Sequence, residues 1–555
     1  MTKGLPRHGR GLCLACLLAV LTGSAHAQEP RVATFHGFNE DQMAPGAVLS
    51  GFGEQPAPTI RDGALNLLHG RVSQRNVVAF ERAAQGTYAR LQAGLKLRVK
   101  PGADGMGLAF LSTAEFSHTG PGPDIPQWEE PNLPGSFAVG LDIYNPPTKN
   151  RFDANGNVYD RPQREISLHW DGLEVANRLS PVEFRDGQFH DLAVEVRFVI
   201  GGACVTLSID TADVYRDAFI PHMRPYESRL CLGARSGDVT TDLAVDDLRV
   251  EYSDPATHRT APTRLRALDG VIIHAGNRSP TAEVELPDTQ MQVARIILTL
   301  TLQAPPGGFD PWDRSAAVYA WGEDQQRYEI LRYITPFGRG YTWKADVTDY
   351  QSLLRGKRKL GLHIDTWMGQ AEPQMQKGWK VSVDLDYYTG TPAREAFRVC
   401  NLWSGRPEYG NPDKPMAQFF APRHIELDAA TTAAKLRLMV TGHGQSPNTK
   451  GAGEFMPAGR TVTVNDRRYA NRLWKTDCYL NPCRPQGGTW KFDRAGWAPG
   501  DVVSPWDIDI SDAVRPGESC SVQYVPEDYV NENRGKSRAT HWVEGQLILY
   551  RDPVG

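Results

Sequence analysis

His190-Asp191-Leu192-Ala193-Val194-Glu195-Val196-Arg197-Phe198 alternates strictly, with Leu192, Val194, Val196 and Phe198 falling on one side. A period of two marks a strand with one buried face, because successive side chains of an extended chain point to opposite sides. The period returns far along the chain. Arg295 to Leu302 aligns Ile296, Leu298, Leu300 and Leu302, Lys380 to Tyr387 alternates in the same way, and so does the closing run Val543 to Tyr550. Turn formers are plentiful between these runs, with 53 Gly and 40 Pro in 555 residues. No stretch sustains a helical period, although Gln351 to Leu354 fits one short helical turn. Short alternating runs bounded by turns predict an all-β chain of sandwiches. The length is too great for one hydrophobic core.

The polar stretch 253–264, with Pro255 and Pro262, separates a finished strand from a new alternating region and predicts a linker. A weaker boundary falls at Thr389-Gly390-Thr391-Pro392. The expected units are therefore 28–252, 265–392 and 393–555. Ahead of them, Lys3, Arg7 and Arg10 precede the apolar run Leu12 to Leu21, and Ala25-His26-Ala27 closes it with small residues. This is the pattern of a secretory signal over residues 1–27 and predicts a secreted or periplasmic protein. The run is shorter than the ~20 residues a bilayer crossing needs, and no later segment is long and apolar enough to cross.

The formal net charge is −4. The densest basic run, Arg355-Gly356-Lys357-Arg358-Lys359, reads as a solvated turn, so nothing predicts a nucleic-acid partner. Six cysteines follow the signal: Cys204, Cys231, Cys400, Cys478, Cys483 and Cys520. An even number in a secreted chain predicts disulfides, with Cys204 and Cys231 the pair available to the first half. No Cys/His cluster has zinc spacing, and no cofactor motif is present. Asp153-Ala154-Asn155-Gly156-Asn157 spaces oxygen ligands two residues apart, which makes Asp153, Asn155 and Asn157 a weak calcium candidate. A plain Asn-Gly hairpin turn is the competing reading.

The second half concentrates acids, arginines and tryptophans in loops. The segments are Asp310-Pro311-Trp312-Asp313-Arg314, Ile364-Asp365-Thr366-Trp367, Gly451-Ala452-Gly453-Glu454-Phe455, and Asp493 to Gly500 with Arg494 and Trp497. Taken singly, each is an ordinary surface ion pair, packed ring or loop. Loops on a rigid sandwich are nonetheless where sites are built, and this composition suits a carbohydrate ligand.

In order and spacing, residues from about 265 to 552 resemble the bacterial peptide-N-glycosidase F family. The resemblance runs through Trp312-Asp313-Arg314, Tyr328 to Pro336, Asp346 to Leu354, Thr366-Trp367, Tyr388 to Pro392, Gly442-His443-Gly444, Glu454, Cys478, Asn481-Pro482 and Asp493 to Trp497. It implies two adjacent eight-stranded jelly-roll sandwiches with the site in the cleft between them. It also implies hydrolysis, without a metal, of the bond between an asparagine side-chain nitrogen and the first N-acetylglucosamine. The products would be a peptide aspartate and a glycosylamine that then loses ammonia. By position Asp313 matches the principal catalytic carboxylate and Glu454 a second essential acid. Asp365 stands where the family has a third acid, a glutamate. Arg314 and Arg494 match site arginines, and Trp367 a wall tryptophan. Trp497 joins the expected substrate-binding set, as does His443, which replaces a tryptophan and is expected to titrate near neutrality. Ala498 replaces a cysteine that bridges to the match of Cys478, which leaves Cys478 free or paired with Cys483, and Cys400 with Cys520.

The first half is similar to concanavalin A-type lectins at Gly107 to Phe110, Phe137 to Asn145 and Glu165 to Gly172. Gly140 stands where such lectins are expected to carry a calcium-binding glutamate. The expected function is a secreted amidase acting on N-glycoproteins or glycopeptides, with no cofactor. The alternative is a catalytically silent glycan-binding protein on the same scaffold. A two-carboxylate glycosidase would instead leave N-acetylglucosamine on the asparagine. A copper hydroxylase on paired jelly rolls is disfavoured because His274, His363, His424, His443 and His541 are scattered.

Overall fold

The computed structural model describes residues 31–553, apart from 40–42, 44, 55, 145–163, 257–260, 289, 369–376, 445–452 and 532–537. The predicted signal segment and the calcium candidate Asp153, Asn155 and Asn157 lie outside the described residues. Among the described residues no helix is long and apolar enough to cross a membrane.

The alternating runs form strands: Phe189–Val199, Val293–Gln303, Trp379–Thr389 and Thr540–Arg551. Near the predicted helical turn the chain makes a short 3-10 helix, Thr348–Tyr350. In the first half an eight-stranded sheet faces a seven-stranded one. Leu192, Val194, Val196 and Phe198 point into the core between them, together with Leu108, Phe110 and Leu232.

The second half holds two sandwiches of the same connectivity. In chain order the first uses Thr263–Ile273, Thr281–Glu285, Val293–Gln303, Ser315–Trp321, Arg327–Ile334, Tyr341–Asp346, Lys357–Ile364 and Trp379–Thr389. The second runs from Glu395–Gly405 to Thr540–Arg551. Counted one to eight, the strands of each sandwich form four-stranded sheets in the order 1-8-3-6 and 2-7-4-5. This is the expected pair of eight-stranded jelly rolls, each with alternate residues of both sheets packed inward.

A buried ion pair joins the two jelly rolls. Arg332, on strand Arg327–Ile334, meets Glu329 at 2.6 and 2.9 Å, and both are fully buried. It also donates across the interface to the Trp542 carbonyl at 2.7 Å and lies over the Trp542 ring. Removing one partner of such a pair strands the other charge in a dry interior. Arg332→Ala is therefore expected to lower unfolding stability by ~3–5 kcal/mol. Replacing both partners with apolar residues of similar size should recover much of that loss, as read by urea midpoints.

The disulfide expectation does not hold: all six described cysteines are free thiols. Cys204 lies on the eight-stranded sheet and alternates with the core residues Ala203 and Val205, so it faces outward. Cys231 lies on the seven-stranded sheet, where Leu230 and Leu232 face the core and Cys231 packs into a separate outer cluster. The full thickness of the sandwich, whose facing sheets lie ~10 Å apart, separates two side chains that a bridge would need within ~7 Å at Cα. Cys478 instead directs its thiol to the Trp497 carbonyl at 3.4 Å. Cys400 and Cys520 lie on opposing sheets of the last sandwich.

Candidate active site

The loop entering strand Ser315–Trp321 is organised around one buried carboxylate. Asp310, with no solvent exposure, accepts from the Trp312 amide at 3.0 Å, from Arg314 at 2.7 and 3.2 Å, and from the Thr366 hydroxyl at 2.7 Å. Strand Ser315–Trp321 pairs with Lys357–Ile364, so Thr366 arrives on the adjacent loop. Asp310 thereby fixes two loops at once. It holds Arg314 flat beneath the Trp367 ring, 3.5 Å from its centroid, where the cation faces the negative side of the ring. Trp312, next to Asp313 in the chain, and Trp367, stacked on Arg314, remain 53% and 59% exposed.

The second jelly roll contributes through glycines. Strand Ala433–His443 ends in Gly442-His443-Gly444, whose backbone meets two other segments. Gly442 N donates to Ala495 O at 2.9 Å, Ala495 N to Glu454 O at 2.9 Å, and Glu454 N to Gly444 O at 3.1 Å. A Cβ on Gly442 would lie 1.9 Å from the Gly453 carbonyl, and Gly453 itself adopts φ +94°. Only glycine allows that approach, and the approach brings Glu454 beside Arg494.

Arg494 is the hub. It is fully buried and donates to Thr489 O at 2.7 Å, Thr489 Oγ1 at 2.6 Å, Phe492 O at 3.2 Å and Glu454 Oε1 at 3.2 Å. Its Nη2 lies 3.8 Å from Asp313 Oδ2. The cation therefore bridges two carboxylates carried by different jelly rolls. Burial pushes the Asp313 carboxyl up to about 7; Arg494 opposes that rise and the Glu454 charge reinforces it. A carboxyl poised there can take and return a proton near neutral pH.

The third acid is present but paired. Asp365 Oδ2 accepts from Arg406 at 2.5 Å, and Arg406 lies over the outer face of Trp542, 4.2 Å from its centroid. Arg332 covers the same ring at 4.1 Å. Both members of the Asp365–Arg406 pair remain partly exposed.

Arg314 and Arg494, matched to site arginines, are enclosed and bonded within the protein. Two expectations are revised by this geometry. Trp497 is 4% exposed; its indole N–H donates to Gly442 O at 2.7 Å and its ring supports Arg494, so it presents no open face to a sugar. His443 stacks on Trp497 at 5.2 Å, with the Thr441 hydroxyl 2.7 Å from Nε2. Burial, reinforced by the charges of Arg406 and Arg332, holds its pKa well below the ordinary imidazole value. His443 is therefore neutral at pH 7 rather than titrating there.

Residues 412–548 match the family profile described as peptide-N-glycosidase F, C terminal. The chain is also 29% identical over 269 residues to peptide-N(4)-(N-acetyl-beta-D-glucosaminyl)asparagine amidase F of Elizabethkingia miricola, covering 46% of this chain and 74% of the relative. The second half of the chain is similar to the peptide-N-glycosidase F family. Among solved structures, the glycosylasparaginase peptide-N-glycosidase F from Flavobacterium meningosepticum is 25% identical, covering 53% of this chain and 98% of that one, with a TM-score of 0.46. The structure of PNGF-II is 13% identical, covering 83% and 98%, with a TM-score of 0.40.

Four residues of the candidate site carry little or no signal in the sequence. Asp310 lies four residues before Arg314, and that spacing is its signal in the sequence. Thr366 was visible beside Trp367 but carries no charge. Arg406, in Gly405-Arg406-Pro407, and Thr489 had no signal, because each matters through a partner distant in sequence.

Proposed function

We propose that the chain hydrolyses the amide between an asparagine side chain and N-acetylglucosamine in N-glycoproteins or glycopeptides. It releases the intact N-glycan and leaves aspartate. The observation that carries this reading is the Asp313–Arg494–Glu454 bridge, with Asp313 poised near neutrality.

In this reading Asp313 takes a proton from water as the water oxygen bonds to the amide carbonyl carbon. The C–N bond then breaks, and the same proton passes to the departing glycosyl nitrogen. Glu454 and the Asp365–Arg406 pair hold the first sugar, the asparagine amide or a bridging water. Trp312 and Trp367 offer ring faces to the apolar sides of the sugars. The shorter Asp365, where the family has glutamate, is met by Arg406 reaching toward it. No nucleic acid or membrane enters this reading. The pattern of residues 1–27 supports export from the cytoplasm. The first half would serve as a lectin-type accessory unit that recruits glycan; a cavity of about 470 Å³ lined by Arg75, Asp104, Tyr144, Arg235 and Asp238 supports that role.

The test is mass spectrometry of an N-glycopeptide after incubation with the protein. Free glycan ending in its reducing-end N-acetylglucosamine, with asparagine converted to aspartate, is expected. A peptide still bearing one N-acetylglucosamine would identify a glycosidase, and intact glycopeptide would favour binding without catalysis.

The pH dependence distinguishes the two candidate titrating groups. With Asp313 acting as base, log kcat/KM is expected to rise with pH and level off above about 7. Because His443 is already neutral there, His443→Gln is expected to leave that limb in place. A limb that disappears in His443→Gln would reassign the titration to the imidazole.

A further inference from the structure

Arg484 joins the first half of the chain to the loop that carries Arg494. It lies on the long connection between strands Arg467–Leu473 and Trp506–Asp509. Its guanidinium donates to both carboxylate oxygens of Glu174, one of them at 2.6 Å, and Glu130 lies 3.6 Å away. Glu174 belongs to Leu173–Leu179, the edge strand of the seven-stranded sheet. Both side chains of this fork are largely buried, at 21% and 13% exposure. Burial pushes neighbouring Glu165 up to about 7, with Arg484 opposing the rise. One arginine from the second half thus sits among three glutamates of the first. A bidentate arginine–carboxylate fork fixes orientation as well as distance.

The fastening continues along the loop. Arg339 donates to Pro485 O at 2.7 Å. Gln486 donates to Pro499 O at 2.8 Å and accepts from the Phe337 amide at 3.2 Å. Thr489 then presents its carbonyl and hydroxyl oxygens to Arg494. Segment 484–489 is therefore held by Glu174 at one end and holds Arg494 at the other.

We propose that Arg484 is a positioning residue for amide hydrolysis. Gripped by Glu174, it fixes Thr489, and Thr489 fixes Arg494 between Glu454 and Asp313. This role rests on the hydrolytic reading above. It makes the first half part of the catalytic framework as well as a neighbour of it.

The experiment compares Glu174→Gln, Arg484→Met and Arg484→Lys in the full-length protein with wild type. Three readouts are used: kcat and KM on an N-glycopeptide, the pH–rate limb, and amide hydrogen exchange at residues 475 and 494, whose backbones bond to each other. Positioning predicts a fall in kcat of about tenfold with little change in KM, since sub-ångström displacement of a charged group is costly to rate. It also predicts a limb moved to higher pH, because a loosened Arg494 lowers the Asp313 pKa less, and faster exchange at 475 and 494. Arg484→Lys should recover part of the loss seen in Arg484→Met. Variants that lose melting temperature while kcat, limb and exchange stay at wild-type values would overturn the proposal. Should Arg484→Met fail to fold, the milder Glu174→Gln carries the test alone. A wild type that cleaves no amide would defeat the hydrolytic reading, and the exchange comparison would still decide whether Glu174 governs the order of the Arg494 loop.

Discussion

Asp313→Asn is expected to lose amide hydrolysis by about 10³-fold or more while becoming harder to unfold above neutral pH. Both effects have one cause. The Asp313 carboxylate is largely enclosed, and burial pushes its pKa up to about 7 against the opposing charge of Arg494. A carboxyl whose folded pKa exceeds its unfolded value of ~3.9 favours the native state while protonated. That advantage is complete below ~pH 4 and is lost as pH rises toward about 7, the folded value. Asparagine has a similar shape and no charge to ionise. The variant's gain over wild type should be small at pH 4, grow through the interval, and reach ~2 kcal/mol at pH 8, allowing for the ~1.4 kcal/mol per pKa unit and for partial exposure. Urea unfolding at several pH values measures it. A stability difference independent of pH would mean that Asp313 is not strained by burial.

Arg494→Lys is expected to cost about 10²- to 10³-fold in kcat and to destabilise the protein by ~3 kcal/mol. Lysine keeps the charge but cannot reproduce the planar fork. The arginine donates simultaneously to Thr489, Phe492 and Glu454 while facing Asp313. An ammonium group satisfies part of this set, leaving buried acceptors unpaired. With less positive charge held near Asp313, its pKa rises further and the pH–rate limb moves upward. Retained kcat with an unmoved limb would show that Arg494 serves packing alone.

Much of the architecture was legible because strand periodicity is local. The runs around His190, Arg295, Lys380 and Val543 all became strands, since each carries its burial pattern in its own side chains. An ordered set of short motifs singled out Asp313, Glu454 and Arg494 as candidates, and the fold brings those three side chains together. Other features were not readable because they depend on contacts between distant segments. Nothing near Arg406 announces Asp365, and nothing near Arg484 announces Glu174. The disulfide expectation failed for a related reason. Counting cysteines says nothing about which face of which sheet each occupies, and Cys204 and Cys231 point away from each other across a packed core. His443 shows the same limit for electrostatics, because its neutrality comes from burial in the folded chain, reinforced by Arg406 and Arg332, neither adjacent in sequence.

In the proposed reaction Asp313 drives water into an asparagine–sugar amide. Its most direct test is incubation of an N-glycopeptide with the protein in water enriched in heavy oxygen, followed by mass spectrometry of the peptide. Loss of the whole glycan and one heavy oxygen in the new aspartate are expected with wild type, and neither with folded Asp313→Asn. Glycan release without label in the peptide, or equal release by the two proteins, would contradict the proposed reaction.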